Sequence, residues 1–324
     1  MATETATNDD LRDGDPRDMG TAGLLGRNAL EIGVLRSLSV RSDLHGLLRF
    51  ATHLGAMFAT GLLVRWAMPN GYYLIPALVL HGFTIVTMFA PMHECVHRTA
   101  FATPLLNEIF GWLAGLIGVY NFTYYRYYHT WHHRYTQDPA RDPELMVPKP
   151  QNWREYLVEI SGFYFWARRP MLFTKLSLGR TEAYPFIPPA GQRKVAISAA
   201  VQTSIYLAAL VSIALGYLFA WWYWLLPAML AQPLLRLMLI AEHTGCTYDE
   251  NGLTNTRTTL ASLPVRILMW NMPFHAEHHL YPSIPFHQLP QAHQELKRKL
   301  THIEPNYVAS NRAVLRSLGT DPRA

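Results

Sequence analysis

Four stretches of the chain, residues 48–68, 72–92, 195–219 and 221–241, are almost continuously apolar, broken mainly by His53 and Arg65 in the first and His81 in the second. An α-helix rises about 1.5 Å per residue, so roughly 20 such residues cross the hydrocarbon core of a bilayer. The pattern predicts an all-α integral membrane protein with four transmembrane helices in two hairpins. The turns of those hairpins fall at Pro69 to Gly71 and at Ala220. A fifth apolar run, 105–120, is shorter and carries Gly111, Gly115 and Gly118. It reads as an interfacial or re-entrant helix, because a crossing there would leave the histidines before and after it on opposite sides of the membrane. Residues 153–178, with Arg168, Arg169 and Lys175 among aromatics, read as a helix lying on the membrane surface. Outside a membrane domain at 48–293, the segments 1–47 and 294–324 are expected to be tails, the first without the apolar core of a signal peptide.

Charge orients this arrangement. Twelve Lys and Arg lie between Met92 and Val195 and eight follow Glu242, more arginines precede the first span, and the two short turns between paired spans hold none. By the positive-inside rule both termini and the large middle segment face the cytoplasm, an orientation that four spans permit. Trp221, Trp222, Tyr223 and Trp224 then sit at the far membrane interface, where amphipathic rings collect. With 50% apolar and 16% charged residues the chain is neither disordered nor strongly basic, and a net charge of +5 gives no reason to expect a nucleic-acid partner. No period of about 20–50 residues points to a solenoid. Two cysteines, Cys95 and Cys246, are too few for a disulfide framework and read as small buried residues.

The chemistry lies in the histidines. Eight of the fifteen fall in three clusters: His93 and His97 in HECVH, His129, His132 and His133 in HTWHH, and His275, His278 and His279 in HAEHH. Spacings of three and four residues bring imidazoles to neighbouring positions on a helix, and neutral imidazole is the commonest metal ligand among side chains. Eight exceed what one tetrahedral zinc uses, so two metal ions are the economical reading. His243, at the cytoplasmic end of the fourth span, is level with the clusters and is counted as a ninth ligand. Ligand type alone leaves iron, copper, nickel and zinc open.

The three clusters resemble the histidine boxes of the membrane fatty acid desaturase and hydroxylase superfamily, in which a two-histidine box is followed by two boxes of the form His-x-x-His-His. The resemblance covers about residues 48–293. It implies a cytoplasmic helical cap carrying the boxes, and it implies that His93, His97, His129, His132, His133, His243, His275, His278 and His279 bind two irons. It also implies use of O2 to oxidise a membrane lipid or acyl chain, with desaturation as the leading outcome and hydroxylation of a lipid, carotenoid or small metabolite as the alternative. The chain has neither a His-Pro-Gly-Gly haem motif nor a cysteine cluster, so a separate electron donor is implied: ferredoxin, rubredoxin or cytochrome b5 with its reductase. Animal acyl-CoA desaturases place an asparagine one turn before the residue matched to His243; here that position is Leu239.

Metal-bound imidazoles commonly donate their second N–H to a carboxylate. Glu94, Asp138, Asp142, Glu242 and Glu277 are the candidates, while His287 and His293 have no assigned role. Two rival classes remain. HECVH also matches the His-Glu-x-x-His motif of zinc proteases, with Glu94 as general base, but that reading leaves both later clusters without purpose. A metal transporter would need ionisable residues along the spans, which offer little beyond His81.

Overall fold

The computed structural model describes Gly26 and residues 28–319, so most of the expected N-terminal tail lies outside the described residues. A short helix α1 (Ile32–Leu38) precedes α2 (Asp43–Ala67), then α3 (Gly71–Val86), α4 (Phe89–Val96), α5 (Pro104–Gly118) and α6 (Phe122–Arg134). After a 3-10 turn at Pro143–Met146 come α7 (Trp153–Ile160), α8 (Phe163–Ser177), α9 (Pro189–Ala214) and α10 (Leu226–His243), the last entered through a π-helical turn at Trp221–Leu225. A three-residue strand β1 (Arg257–Thr259), α11 (Leu263–Leu268), α12 (His275–Leu280), α13 (Leu289–Leu296), a second strand β2 (His302–Glu304) and α14 (Tyr307–Arg316) complete the order.

Four helical segments are long and apolar enough to span a bilayer: Asp43–Ala67, Gly71–Val96, Pro189–Ala214 and Trp221–His243. Their ends differ from the apolar pattern for local reasons. α2 begins earlier than residue 48 because Ser42 accepts a hydrogen bond from the His45 amide and Asp43 complements the positive helix start. α9 stops at Ala214, where Gly216 turns left-handed at φ +90°, so residues 215–220 rather than Ala220 alone connect the last two spans. The buried share of the most apolar window is 61% and 44% for the second and fourth spans but 17% and 11% for the first and third, which puts the second and fourth at the centre. Phe58, Leu62 and Trp66 on α2 and Leu207 and Val211 on α9 are correspondingly exposed. Surface of that kind is stable against lipid tails.

The first expected hairpin is present, with α2 packed on α3, but α10 packs on α3 and α9 on α8. The end of α5 lies between the last two spans. Its Leu116 and Ile117 carbonyls accept from the Tyr206 hydroxyl of α9 at 3.1 Å and the Trp224 indole at 2.8 Å. At this helix end the Leu116 carbonyl has only the Val119 amide at 3.4 Å besides Tyr206, and an apolar surrounding offers neither carbonyl another donor. The glycines let α5 approach closely: a Cβ on Gly111 would collide with Phe122 and Cys95, and one on Gly115 with the Tyr120 carbonyl. α5 and α6 meet at 99°, and because α4 and α6 end on the same group of histidines, the chain returns to where it left. That is the course expected of a re-entrant segment.

Residues 153–178 form two helices instead of one, divided at Gly162, whose φ is +74°. The segment beyond 293 is structured up to residue 319 rather than a tail. β2 pairs parallel with β1 in the register Arg257↔His302 and Thr259↔Glu304, and Asn311 of α14 donates to the Leu237 carbonyl of α10 at 3.0 Å. Arg257 in turn donates to the Ala241 and Thr244 carbonyls. The sheet and α14 therefore hold the C-terminal end of α10, which carries His243. His81 acts as the polar helix contact expected of it, bonded to Thr60 at 2.9 Å and to the Tyr223 carbonyl at 3.1 Å.

Candidate metal centre

All nine histidines converge on one buried site, delivered by the end of α4 (His93, His97), by α6 (His129, His132, His133), by the last residue of α10 (His243) and by α12 (His275, His278, His279). They divide into two groups. His93, His97, His129, His133 and His278 bring one ring nitrogen each within 4.8 Å of one another, and His132, His243 and His279 do the same. His275 joins the second group, with its Nε2 3.2 Å from that of His243. The division follows from helix geometry. At about 100° per residue, positions i and i+4 share a face and i+3 is offset, so α6 gives His129 and His133 to one group and His132 to the other. α12 gives His278 to the first and His275 and His279 to the second. Each box of three serves both groups.

The donor atoms suit metal. The Nε2 atoms of His93, His97, His278 and His279 are buried with no hydrogen-bond partner. The Nε2 atoms of His129 and His133 face each other at 2.9 Å, and those of His132 and His243 at 3.2 Å. Neutral imidazoles offer one N–H each, so a cation shared among them would satisfy unpaired buried nitrogens at this density. Burial, with the neighbouring histidines adding to it, pulls His129, His133, His275 and His279 well below the ordinary imidazole range and His278 down to about 3. Their lone pairs are thus free at neutral pH. His132 is the exception: burial opposes its charge, but Asp142 and Glu144 overcome that and raise it to about 9.

Of the expected carboxylates, Asp142 accepts from His132 Nδ1 at 2.9 Å and Glu242 lies 3.4 Å from His275 Nε2. Asp142 is itself held by the Gln137 and Glu144 amides. The other three turn elsewhere. Glu94 accepts from the Phe286 amide at 2.9 Å, Asp138 binds Arg141, and Glu277 takes the Thr258 hydroxyl and His293. His293 thereby anchors α12 from beneath, while His287 stacks on His45 with ring centroids 4.3 Å apart. With Glu94 so engaged, the arrangement of a zinc protease, a glutamate free to act between two ligands, is absent. Cys95 and Cys246 are buried and unbridged.

Other neighbours of the centre carry no sequence signal of their own. Glu144 places Oε2 3.6 Å from His132 Nε2 and 4.0 Å from His243 Nε2, and it stands two residues after Asp142, which is the one hint available. Thr136 meets His279 Nδ1 at 3.2 Å, the Asn255 carbonyl meets His243 Nδ1 at 3.2 Å, and the Tyr125 hydroxyl meets His129 Nδ1 at 3.3 Å. Gln137, left-handed at φ +65°, donates to the His243 carbonyl at 2.8 Å. Leu239, at the place of the asparagine in animal acyl-CoA desaturases, is half-buried and packs against the apolar core.

Four apolar spans and a buried, two-part histidine cluster that could hold metal define an integral membrane protein with a candidate metal centre. Residues 66–311 match the fatty acid desaturase family. The chain belongs to that family and is an oxidoreductase. It is 24% identical over 253 residues to an sn-1 oleoyl-lipid 12-desaturase of Picosynechococcus, covering 72% of this chain and 71% of the relative. Over 242 residues it is 26% identical to a sphingolipid delta(4)-desaturase of Komagataella phaffii, covering 67% of this chain and 60% of the relative. A sphingolipid delta(4)-desaturase of Drosophila melanogaster is 24% identical over 253 residues, 73% of this chain and 71% of its own.

Proposed function

We propose that the protein is an O2-dependent di-iron desaturase that introduces a carbon–carbon double bond into the acyl chain of a membrane lipid. The observation that carries this reading is the division of nine buried histidines into two adjacent groups. His93, His97, His129, His133 and His278 would hold one iron, and His132, His243, His275 and His279 the other. When bound, the iron pair supplies the oxidant: O2, two electrons and two protons become two waters as two hydrogens leave adjacent carbons. The protein's own part is to present imidazole nitrogens from a buried site. Asp142 fixes the His132 ring, and the Asn255 carbonyl and Gln137 fix His243. Glu144, beside two ligands of the second group, supplies an oxygen donor to that position.

Desaturation is favoured over hydroxylation because all three relatives are named desaturases, two of them of sphingolipids and one of an sn-1 oleoyl-lipid. Oriented as its charges direct, the protein carries its boxes and termini on the cytoplasmic side of the membrane. Electrons come from a separate ferredoxin, rubredoxin or cytochrome b5 system docking on that basic face. Lipid mass spectrometry of cells with and without the protein tests the reaction. A product lighter by two hydrogens supports desaturation, and a product heavier by one oxygen contradicts it.

A further inference from the structure

Two cations stand near the histidine centre with no acid in ion-pair contact. Arg236 lies on α10 and Arg169 on α8. Both guanidiniums sit against the ring of Phe165, 5.0 and 4.1 Å from its centroid, and Arg169 also covers the ring of Tyr120 at 4.3 Å. Tyr120 and Phe165, with centroids 5.3 Å apart, form one aromatic wall. Arg236 donates to the Tyr120 hydroxyl at 2.6 Å, while its Nε is buried without a partner. Among the described residues neither arginine has a carboxylate within ion-pair distance. Glu242, further along α10, makes its close contact with His275 and meets Arg236 only through its longer-range charge.

Aromatic faces attract each cation but do nothing about the repulsion between two. Where water is scarce that repulsion is strong, and charge inside a membrane span marks a functional site. Burial, with Arg236 contributing, draws Arg169 below the ordinary guanidinium range. An anion held by both removes the conflict. Each guanidinium offers a fork of N–H donors suited to phosphate oxygens, and the Tyr120 hydroxyl, whose oxygen accepts from Arg236, retains its own proton to donate. The source of the anion follows from position: Arg236 is on a membrane span, and α8 beside it exposes Phe163 and Met171.

We propose that Arg169, Arg236 and Tyr120 bind the phosphate of a phospholipid headgroup and so hold that lipid beside the histidine centre. Phe89 bridges the two places, its ring 5.0 Å from Tyr120 and 5.9 Å from His93. That the lipid held there is the one oxidised rests on the desaturase reading; the phosphate site does not. The test titrates the full chain, in phosphate-free maltoside detergent, with dioctanoyl phosphatidylglycerol, dioctanoylglycerol and inorganic phosphate, read by native mass spectrometry and by fluorescence of Trp166, whose ring is 5.0 Å from Phe165. The phospholipid should bind at least about tenfold tighter than the neutral diglyceride, the size expected of a charge-assisted hydrogen bond. That preference should vanish in Arg169→Gln and Arg236→Gln, with iron content as the check on folding, and fall several-fold in Tyr120→Phe. Equal affinity for the two lipids, or wild-type preference in correctly loaded variants, overturns the proposal. Inorganic phosphate binding as tightly as the phospholipid overturns the assignment to a lipid. Selective phospholipid binding by a protein that leaves cellular lipids unoxidised keeps the site and sinks the desaturase reading.

Discussion

A single residue changes the meaning of the second histidine box. His129 and His133 are plain lone-pair donors in a dry pocket, whereas His132 carries Asp142 on its far nitrogen and Glu144 near its other one. Replacing His132 or His278 with Ala should abolish turnover and lower iron content; full activity in either variant would refute their role as ligands. Glu144→Gln should release one of two irons to a chelator at least about tenfold faster and leave the other unchanged, since groups supporting a metal typically contribute about 10–100-fold in affinity. Unaltered release of both would remove Glu144 from the centre. The His132 proton gives a pH signature in the metal-free protein. Its folded value, about 9, lies above the ordinary 6.5, so the stabilisation is full below about pH 6.5 and disappears as pH rises through about 9. The gap in melting temperature between metal-free wild type and Asp142→Asn should therefore narrow across that interval. A gap that does not change with pH would assign Asp142 no such role.

At the scale of elements, spans and boxes were legible because each rests on a local rule: apolar length for the spans, three-and-four spacing for the ligands. What the sequence could not show depends on chain segments far apart. Which carboxylates reach a histidine is settled by loops, so Asp142 faces His132 while its near neighbour Asp138 binds Arg141. α10 packs on α3, and the end of α5 is joined to the last two spans by two side-chain donors that meet the Leu116 and Ile117 carbonyls. Trp224→Phe leaves the part-buried Ile117 carbonyl unpaired at a cost of about 1–3 kcal/mol, and Tyr206→Phe leaves the Leu116 carbonyl only the long 3.4 Å bond from the Val119 amide. Each variant should melt several degrees lower in detergent with its iron content unchanged; melting at the wild-type temperature would mean that the end of α5 is satisfied otherwise.

For the whole molecule, the C-terminal segment read as a tail is part of the apparatus that holds the site. Nothing in the apolar pattern marks β1 and β2, each three residues long, yet they and α14 fix the end of α10 that carries His243. The membrane reading, by contrast, was available from charge placement and apolar length together, since both are properties summed over many residues. The proposed chemistry depends above all on nine histidines holding two irons in one membrane-embedded chain. Metal analysis of the purified protein tests that directly: about two irons per chain and no stoichiometric zinc is the predicted result, and one zinc with no iron would contradict it.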